Sequence, residues 1–255
     1  MNNLVSIITP SYNSVRFISE CVDSVISQTY ENWEMLIVDD SSKDGSVDEI
    51  IRLSSKDSRI RHFLLEENIG AAEARNVAIR ESKGRYIAFL DADDIWMSQK
   101  LERQLAFMQD KDIAFSFSSY ETISEDSSQI LNRIKALSKV NYHSYLKNTI
   151  IGCLTVIIDK EKVGDFQMQN IRSSHDMALW LLIMRRGFDA YGLDEILAKY
   201  RVVSSSNTSN KLKAAVDVWR VYRDIEELSF IYSAICFMGY AFNALTVSYT
   251  HLTLP

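Results

Sequence analysis

GRYIAFLDADDIW, residues 84–96, decides the fold. Its middle, YIAFL (86–90), is short and apolar, as a buried strand is, and it ends on Asp91, Asp93 and Asp94. Three carboxylates in four positions repel one another, and each loses hydration if it leaves water. Such a run is either a solvated polar turn or a place for a cation. In open, mostly parallel sheets ligands bind beyond the carboxyl ends of the strands, which is where this run falls.

Working outward, LVSIIT (4–9), WEMLIV (33–38), RIRHFLLE (59–66) and IAFSFS (113–118) also read as strands, apolar and partly β-branched. Helical patterns lie between them. Ile18, Cys21, Val22 and Val25 follow i, i+3, i+4, i+7 spacing, and Leu101, Leu105 and Met108 follow i, i+4, i+7. Ser98 is the expected N-cap of the latter helix, and Gly84 the expected stop of a helix over 71–82. This alternation predicts an α/β fold: a mostly parallel sheet with helices on both faces. Polar clusters recur where strands end, at TPSYN (9–13), DDSSKDGS (39–46) and DADD (91–94), so three strand ends point to one shared site.

Farther along, residues 119–148 lack clear periodicity and read as a partly helical excursion. IIGCLTVIID (150–159) reads as a strand, and SSHDMALWLLIMRRG (173–187) as a helix ending near Gly187. AKYRVVSSSNTSNK (198–211) is a strand entering a Ser/Asn-rich loop, and 211–247 is helical.

The net charge of -6 argues against a nucleic-acid partner, which needs a basic surface. Three widely spaced cysteines suit a reducing compartment and no disulfide framework. The start, MNNLVSIITP, has no basic flank and is not expected to act as a signal peptide, so a cytoplasmic location is expected. No G-x-G-x-x-G follows a strand and no G-x-x-x-x-G-K is present, which argues against a dinucleotide dehydrogenase or a P-loop enzyme.

VSIITPSYNS, ISQTYENWEMLIVDDSSKDGS, NIGAAEARNVAI, GRYIAFLDADD, and then HDMALWL with KYRV resemble, in that order, the motifs of the family 2 glycosyltransferases. The resemblance implies the GT-A (nucleotide-diphosphosugar transferase) fold over residues 1–210. It implies an inverting, metal-dependent transfer of a sugar from a nucleotide-sugar, expected to be a UDP-sugar. The acceptor would be a hydroxyl of a glycan or lipid-linked molecule in surface polysaccharide synthesis.

By the same resemblance, Pro10, Tyr12 and Asn13 line the nucleotide base, with Tyr12 offering a ring for stacking. Asp39 and Asp40 recognise uracil, since a carboxylate accepts the N3–H that cytosine lacks. Asp39 or Asp44 is expected to cap the following turn, more than Asp40. Arg75 lies beside the nucleotide and its diphosphate. Asp91, Asp93 and Asp94 resemble the metal-binding acids. Asp91 and Ala92 are assigned to the nucleotide side, and Asp93 and Asp94 to a Mn2+ or Mg2+ cofactor held against the diphosphate. Asp176 corresponds to the catalytic base; its plainer role is to cap a helix start with Ser173 and Ser174. His175 stands where the family usually has Glu, which puts it at an acceptor contact. Tyr200 and Arg201 match a pair that closes the site, and Val203 replaces a frequent histidine.

Residues 211–247 are expected to form a helical appendage, docked or lying on a membrane surface. LSFIYSAICFMGYAFNALTV (228–247) is uncharged and long enough to span as the alternative. Residues 248–255 are expected to be a non-native or disordered tail. The competing functions are a sugar-nucleotide pyrophosphorylase-like enzyme, which should carry a glycine-rich basic loop near its start, and a non-catalytic nucleotide-binding module.

Overall fold

A computed structural model describes residues 3–171, 173–203 and 211–250. The first half of the chain alternates β1 (Val5–Ser11), α1 (Ile18–Ile26), β2 (Trp33–Asp39), α2 (Ser46–Ser54), β3 (Ile60–Leu64), α3 (Ala71–Glu81) and β4 (Tyr86–Phe89). Then come β5 (Ile95–Trp96), α4 (Lys100–Asp110), β6 (Phe115–Ile123), β7 (Ile130–Ile134), β8 (Lys139–Val140) and α5 (Tyr142–Tyr145). A 3-10 turn at Cys153–Thr155 leads to β9 (Ile157–Asp159), α6 (Lys160–Val163), α7 (His175–Arg185) and β10 (Ala190–Arg201). Last are α8 (Lys211–Arg220), a π-turn at Val221–Ile225, and α9 (Phe230–Thr250).

The sheet runs β3-β2-β1-β4-β9-β6-β10-β5, with β7 added to β6 and β8 to β10. Pairing is parallel from β3 to β4 and between β6 and β10, and antiparallel around β9. After β1 the chain builds outward through β2 and β3 and then returns to place β4 on the other flank of β1. Such a reversal opens a crevice at the strand ends between the two halves, and DADD sits there.

Every residue of β2 is buried and β1 nearly so, because helices cover both faces. On one face the helices α1, α2 and α4 press Val22, Ile50 and Leu105 onto Ile7, Met35 and Trp96. On the other, α3 and α7 pack onto Ile8, Phe89 and Phe115. Trp180 of α7 lies edge-on to Phe89 with ring centres 5.4 Å apart, and 5.3 Å from Phe115. Ala74 and Ala78, one turn apart, are small buried side chains on the core-facing side of α3. Buried Asn76 then donates to the Met168 carbonyl at 2.9 Å and accepts its N–H at 2.7 Å. That pair fastens the chain at Met168, ahead of α7.

Several expectations change. Gln99 precedes α4 without a side-chain cap, and Ser98 instead offers its carbonyl to Thr29 N–H at 2.9 Å. The 119–148 segment is mostly a β6–β7 hairpin followed by β8, with helix only at α5. In 150–159 only the last three residues pair as a strand. Tyr191 to Arg201 make one long strand with β6, starting earlier than the sequence suggested. The Ser/Asn-rich loop at 204–210 and the end of the expected tail, 251–255, lie outside the described residues, while 248–250 belong to α9. No helix among the described residues is long and apolar enough to cross a membrane.

Gly84 does not cap α3, which ends at Glu81. A Cβ there would lie 2.6 Å from the Leu4 carbonyl oxygen and 2.7 Å from Ser6 N. Its N–H donates to the Ser6 hydroxyl at 2.8 Å, and that hydroxyl donates to buried Glu34 at 2.7 Å. Glycine is required for close approach. Gly84→Ala should therefore destabilise the protein by about 1–3 kcal/mol through overpacking against backbone, read as a lower denaturant midpoint. An unchanged midpoint would show that β1 and β4 can separate at no cost.

Candidate active site

A cavity of about 1610 Å3 opens at the carboxyl ends of β1 and β4 and extends toward β7 and α9. Pro10, Tyr12 and Asn13 line one side. Tyr12 is 53% exposed, so a ring face is free to stack on a base. The chain turns through Asn13 at φ 51, a left-handed value that Asn tolerates. Asn13 accepts Lys43 N–H through its side-chain oxygen at 2.9 Å and donates its own N–H to the Ser42 hydroxyl at 2.8 Å. The loops after β1 and β2 are thereby joined.

The two acids after β2 divide the work. Asp39 is buried and does not line the cavity, against the expectation of a nucleotide contact. Its oxygens accept Ser42 N–H at 2.9 Å and the hydroxyls of Ser42 at 2.6 Å and Ser11 at 3.3 Å. It caps its own turn, as Asp44 caps Ser46 N–H at 3.0 Å. Asp40 does line the cavity. Its two oxygens accept the amides of Ile69 at 2.7 Å and Gly70 at 2.9 Å, which anchors the start of α3. Each oxygen keeps a second acceptor site.

Arg75 projects from α3 and is buried. One Nη donates to Asp91 and the other meets His175 Nε2 at 2.6 Å. A guanidinium only donates, so Nε2 must accept, and the imidazole is neutral with its proton on Nδ1. Burial, and then Arg75, push the His175 pKa below its ordinary value. Burial also opposes charge on Arg75, but the Asp91 carboxylate outweighs it and keeps the guanidinium protonated. A Glu at 175 would have given Arg75 a second carboxylate; His gives it a neutral acceptor.

Ala92, Asp93 and Asp94 follow on the same loop, all lining the cavity. Burial and then Asp91 raise Asp93 to about 6. Burial and then Asp93 push Asp94 well above the usual carboxylate range. One Asp94 oxygen accepts Arg201 N–H at 2.9 Å. No group of three or more metal-ligating side chains converges among the described residues. The donor set nonetheless fits a hard divalent cation, because it is all oxygen and its crowded negative charge is what a cation relieves. It is a partial set, to be completed by diphosphate and water.

Asp176 lines the same cavity from the first turn of α7. Its Oδ1 accepts Met177 N–H at 2.8 Å, and Ser174 before it makes no side-chain cap. The carboxylate thus settles one free amide of the helix start while facing the cavity. Tyr200 and Val203 line the cavity, but Arg201, expected to close it, is buried behind the DADD loop. No motif marks the rest of the lining. Ile130 to Lys135, Asn148 to Leu154, and Tyr240 and Asn243 of α9 all contribute to it. These segments carry neither a motif nor a clean alternation; the β6–β7 register brings in the first of them.

Residues 6–169 match the family model described as Glycosyl transferase family 2. The chain is 50% identical over 242 residues to the "Putative teichuronic acid biosynthesis glycosyltransferase TuaG" of Bacillus subtilis, covering 95% of this chain and 96% of that one. It is 42% identical over 225 residues to the Escherichia coli "UDP-Glc:alpha-D-GlcNAc-diphosphoundecaprenol beta-1,3-glucosyltransferase WfgD", covering 88% and 87%. Among solved structures, S. aureus TarS 1-349 in complex with UDP-GlcNAc superposes with a TM-score of 0.73 at 18% identity, covering 93% of this chain and 71% of that one. That likeness establishes the GT-A fold.

The Arg75–His175 contact has a pH signature. A folded-state pKa held below 6.5 means that the unfolded chain takes up the proton first. The stabilisation is present above about pH 6.5 and is lost as pH falls from there through the folded value. His175→Gln keeps an acceptor without titrating. Denaturant midpoints taken at falling pH should drop more steeply for the parent than for this variant; parallel curves would contradict a neutral, accepting imidazole.

Proposed function

The chain belongs to glycosyl transferase family 2, and from that premise we propose that it transfers a sugar from UDP to a hydroxyl of a lipid-linked glycan, with inversion and with a divalent cation. The observation that carries this reading is that Asp93, on the DADD loop, and Asp176, on α7, line one cavity with Asp40, Tyr12 and Arg75. UDP is the proposed donor nucleotide because Asp40 retains acceptor capacity for a uracil N3–H. The names of two relatives support the rest: one a teichuronic acid glycosyltransferase, the other acting from UDP-Glc on a diphosphoundecaprenol acceptor.

In this reading the base stacks on Tyr12 and the diphosphate lies along the DADD loop. Asp176 takes the proton of the acceptor hydroxyl. The acceptor oxygen attacks the anomeric carbon from the face opposite the diphosphate, the bond from that carbon to the diphosphate oxygen breaks, and its electron pair leaves with UDP. General-base help of this kind is worth about 10²–10⁴-fold. A divalent cation, when bound at Asp93 with Asp91 or Asp94, would neutralise charge on the departing diphosphate. Arg75 orients Asp91 and, through Nε2, the ring of His175 beside the base.

The acceptor side reaches α9, and α9 favours a lipid surface. Ile231, Ile235, Met238 and Phe242 recur at i, i+4, i+7, i+11 and are exposed, while Ser233 and Cys236 on the inner face are buried. No charged residue occurs from Leu228 to Thr250. Exposed Lys147 lies against Gly239 of this helix and offers a cation to anionic headgroups. The enzyme then works as a peripheral protein at the cytoplasmic face, with Tyr240 and Asn243 leading from that surface into the cavity.

Chelation should abolish transfer, and Mn2+ or Mg2+ should restore it; full turnover in excess chelator would remove the cation from the mechanism. For Asp176, the variant Asp176→Asn separates helix start from chemistry. Its turnover should fall by about 10²–10⁴-fold while its melting temperature and UDP affinity stay near the parent's. Parent-like turnover would leave Asp176 as a helix-start residue. Met238→Gln with Phe242→Gln should lose sedimentation with anionic vesicles and keep turnover on a water-soluble acceptor. Undiminished vesicle binding would place the membrane contact elsewhere.

A further inference from the structure

Arg201 is the last residue of β10 and is 2% exposed. A guanidinium so buried is costly unless its donors are met. Its Nε donates to the Asp93 carbonyl at 2.7 Å. One Nη donates to the Glu125 carbonyl at 2.8 Å and the Ser127 hydroxyl at 2.6 Å. The other donates to the Glu20 carboxylate at 2.6 Å. Its central carbon lies 5.0 Å from the centre of the Phe17 ring, and its own backbone N–H donates to the Asp94 carboxylate at 2.9 Å.

These contacts reach three separate elements. Two of them fix the DADD loop, one through the backbone of Asp93 and one through the carboxylate of Asp94. Two more hold the turn closed by Ser124 N–H on the Gln129 carbonyl, which leads directly into β7. β7 is a wall of the cavity. The contact with Glu20 ties both to α1, and Ser127 reinforces it by donating to Glu20 at 3.2 Å. Arg201 itself does not line the cavity, so its action on substrate must pass through these neighbours.

We propose that Arg201 is a positioning residue with two linked tasks. It presets the Asp93 and Asp94 carboxylates for the cation, and it locks that loop to the β6–β7 hairpin so that the donor and acceptor walls keep one register. The first task rests on the reading of DADD as the cation site; the second does not. Charge alone is insufficient for either. Lysine would supply a positive point charge but not a planar fork that meets a carbonyl, a carbonyl with a hydroxyl, and a carboxylate at once.

The test compares the parent with Arg201→Lys and Ser127→Ala. Hydrogen exchange on the metal-free proteins reads the segments 91–96 and 124–134. Mn2+ affinity is taken by electron paramagnetic resonance in the presence of UDP, and UDP affinity without metal serves as the control. Arg201→Lys should speed exchange in both segments together and weaken Mn2+ by about 10–100-fold, as loss of an outer-shell partner does, with metal-free UDP affinity unchanged. Ser127→Ala removes the hydroxyl that ties the hairpin turn to Arg201 and to Glu20 and touches nothing on the DADD loop, and it should still speed exchange at 91–96; it decides the second task even if Arg201→Lys does not fold. Parent-like Mn2+ affinity and parent-like exchange at 91–96 in Arg201→Lys would overturn the proposal, even with reduced turnover. Exchange that rises in Ser127→Ala at 124–134 alone would overturn the coupling. Absence of Mn2+ binding in the parent would overturn the cation reading and the first task with it, while the exchange comparison still decides the second.

Discussion

Three carboxylates held close together at the end of a buried strand are the constraint on which this structure depends. Asp91, Asp93 and Asp94 are partly or wholly withdrawn from water, and Asp93 is raised to about 6 by burial and its neighbour Asp91. Nothing in a polar turn requires that arrangement. The protein sustains it by meeting two of the three acids separately: Arg75 of α3 takes Asp91, and the Arg201 amide takes Asp94. The cost of crowding is left standing at the cavity, where a cation and a diphosphate can use it. Stored negative charge of this kind favours a cation that brings its own phosphate and water ligands.

The same economy shapes the rest of the site. Arg75 reaches Asp91 from α3, a helix packed on the sheet through Ala74, Ala78 and Ile79 and fastened at its start by Asp40. Arg75 also meets His175, the first residue of α7, and Asn76, one residue on, holds Met168 ahead of it. Asp176 and the DADD loop are therefore held relative to one another by a single helix. A base must be placed to within a fraction of an ångström against a bound donor for positioning to contribute to rate. A rigid α3 between the two is a physical reason why these distant parts of the chain act together.

What could be read from the sequence follows from how local each signal is. Strands such as VSIITP and YIAFL were legible because complete burial demands apolar, β-branched runs, and the site's outline was legible because acids cannot sit at strand ends without purpose. The division between Asp39 and Asp40 was legible only in part, since the capping of Ser42 by Asp39 is local whereas the Ile69 and Gly70 amides come from elsewhere in the chain. Gly84 was misread as a helix stop because its real neighbours, Leu4 and Ser6, are remote in sequence. Arg201 was placed in the cavity by resemblance, and only tertiary structure shows it bracketing the loop from behind. The β7 wall left no trace at all: Ile130 to Ile134 do not alternate in burial, and the register with β6 is what brings them to the site.

The proposed reaction is one displacement on a donor sugar, with one base on the acceptor side and a departing diphosphate opposite. The anomeric configuration of the newly formed bond tests this most directly. With a UDP-sugar of α configuration as donor and a competent acceptor, the one-bond carbon–proton coupling at the new anomeric centre distinguishes the two outcomes. Inversion predicts a β-linked product. An α-linked product would contradict it, because retention requires a second event at the anomeric carbon that a single base at Asp176 does not supply.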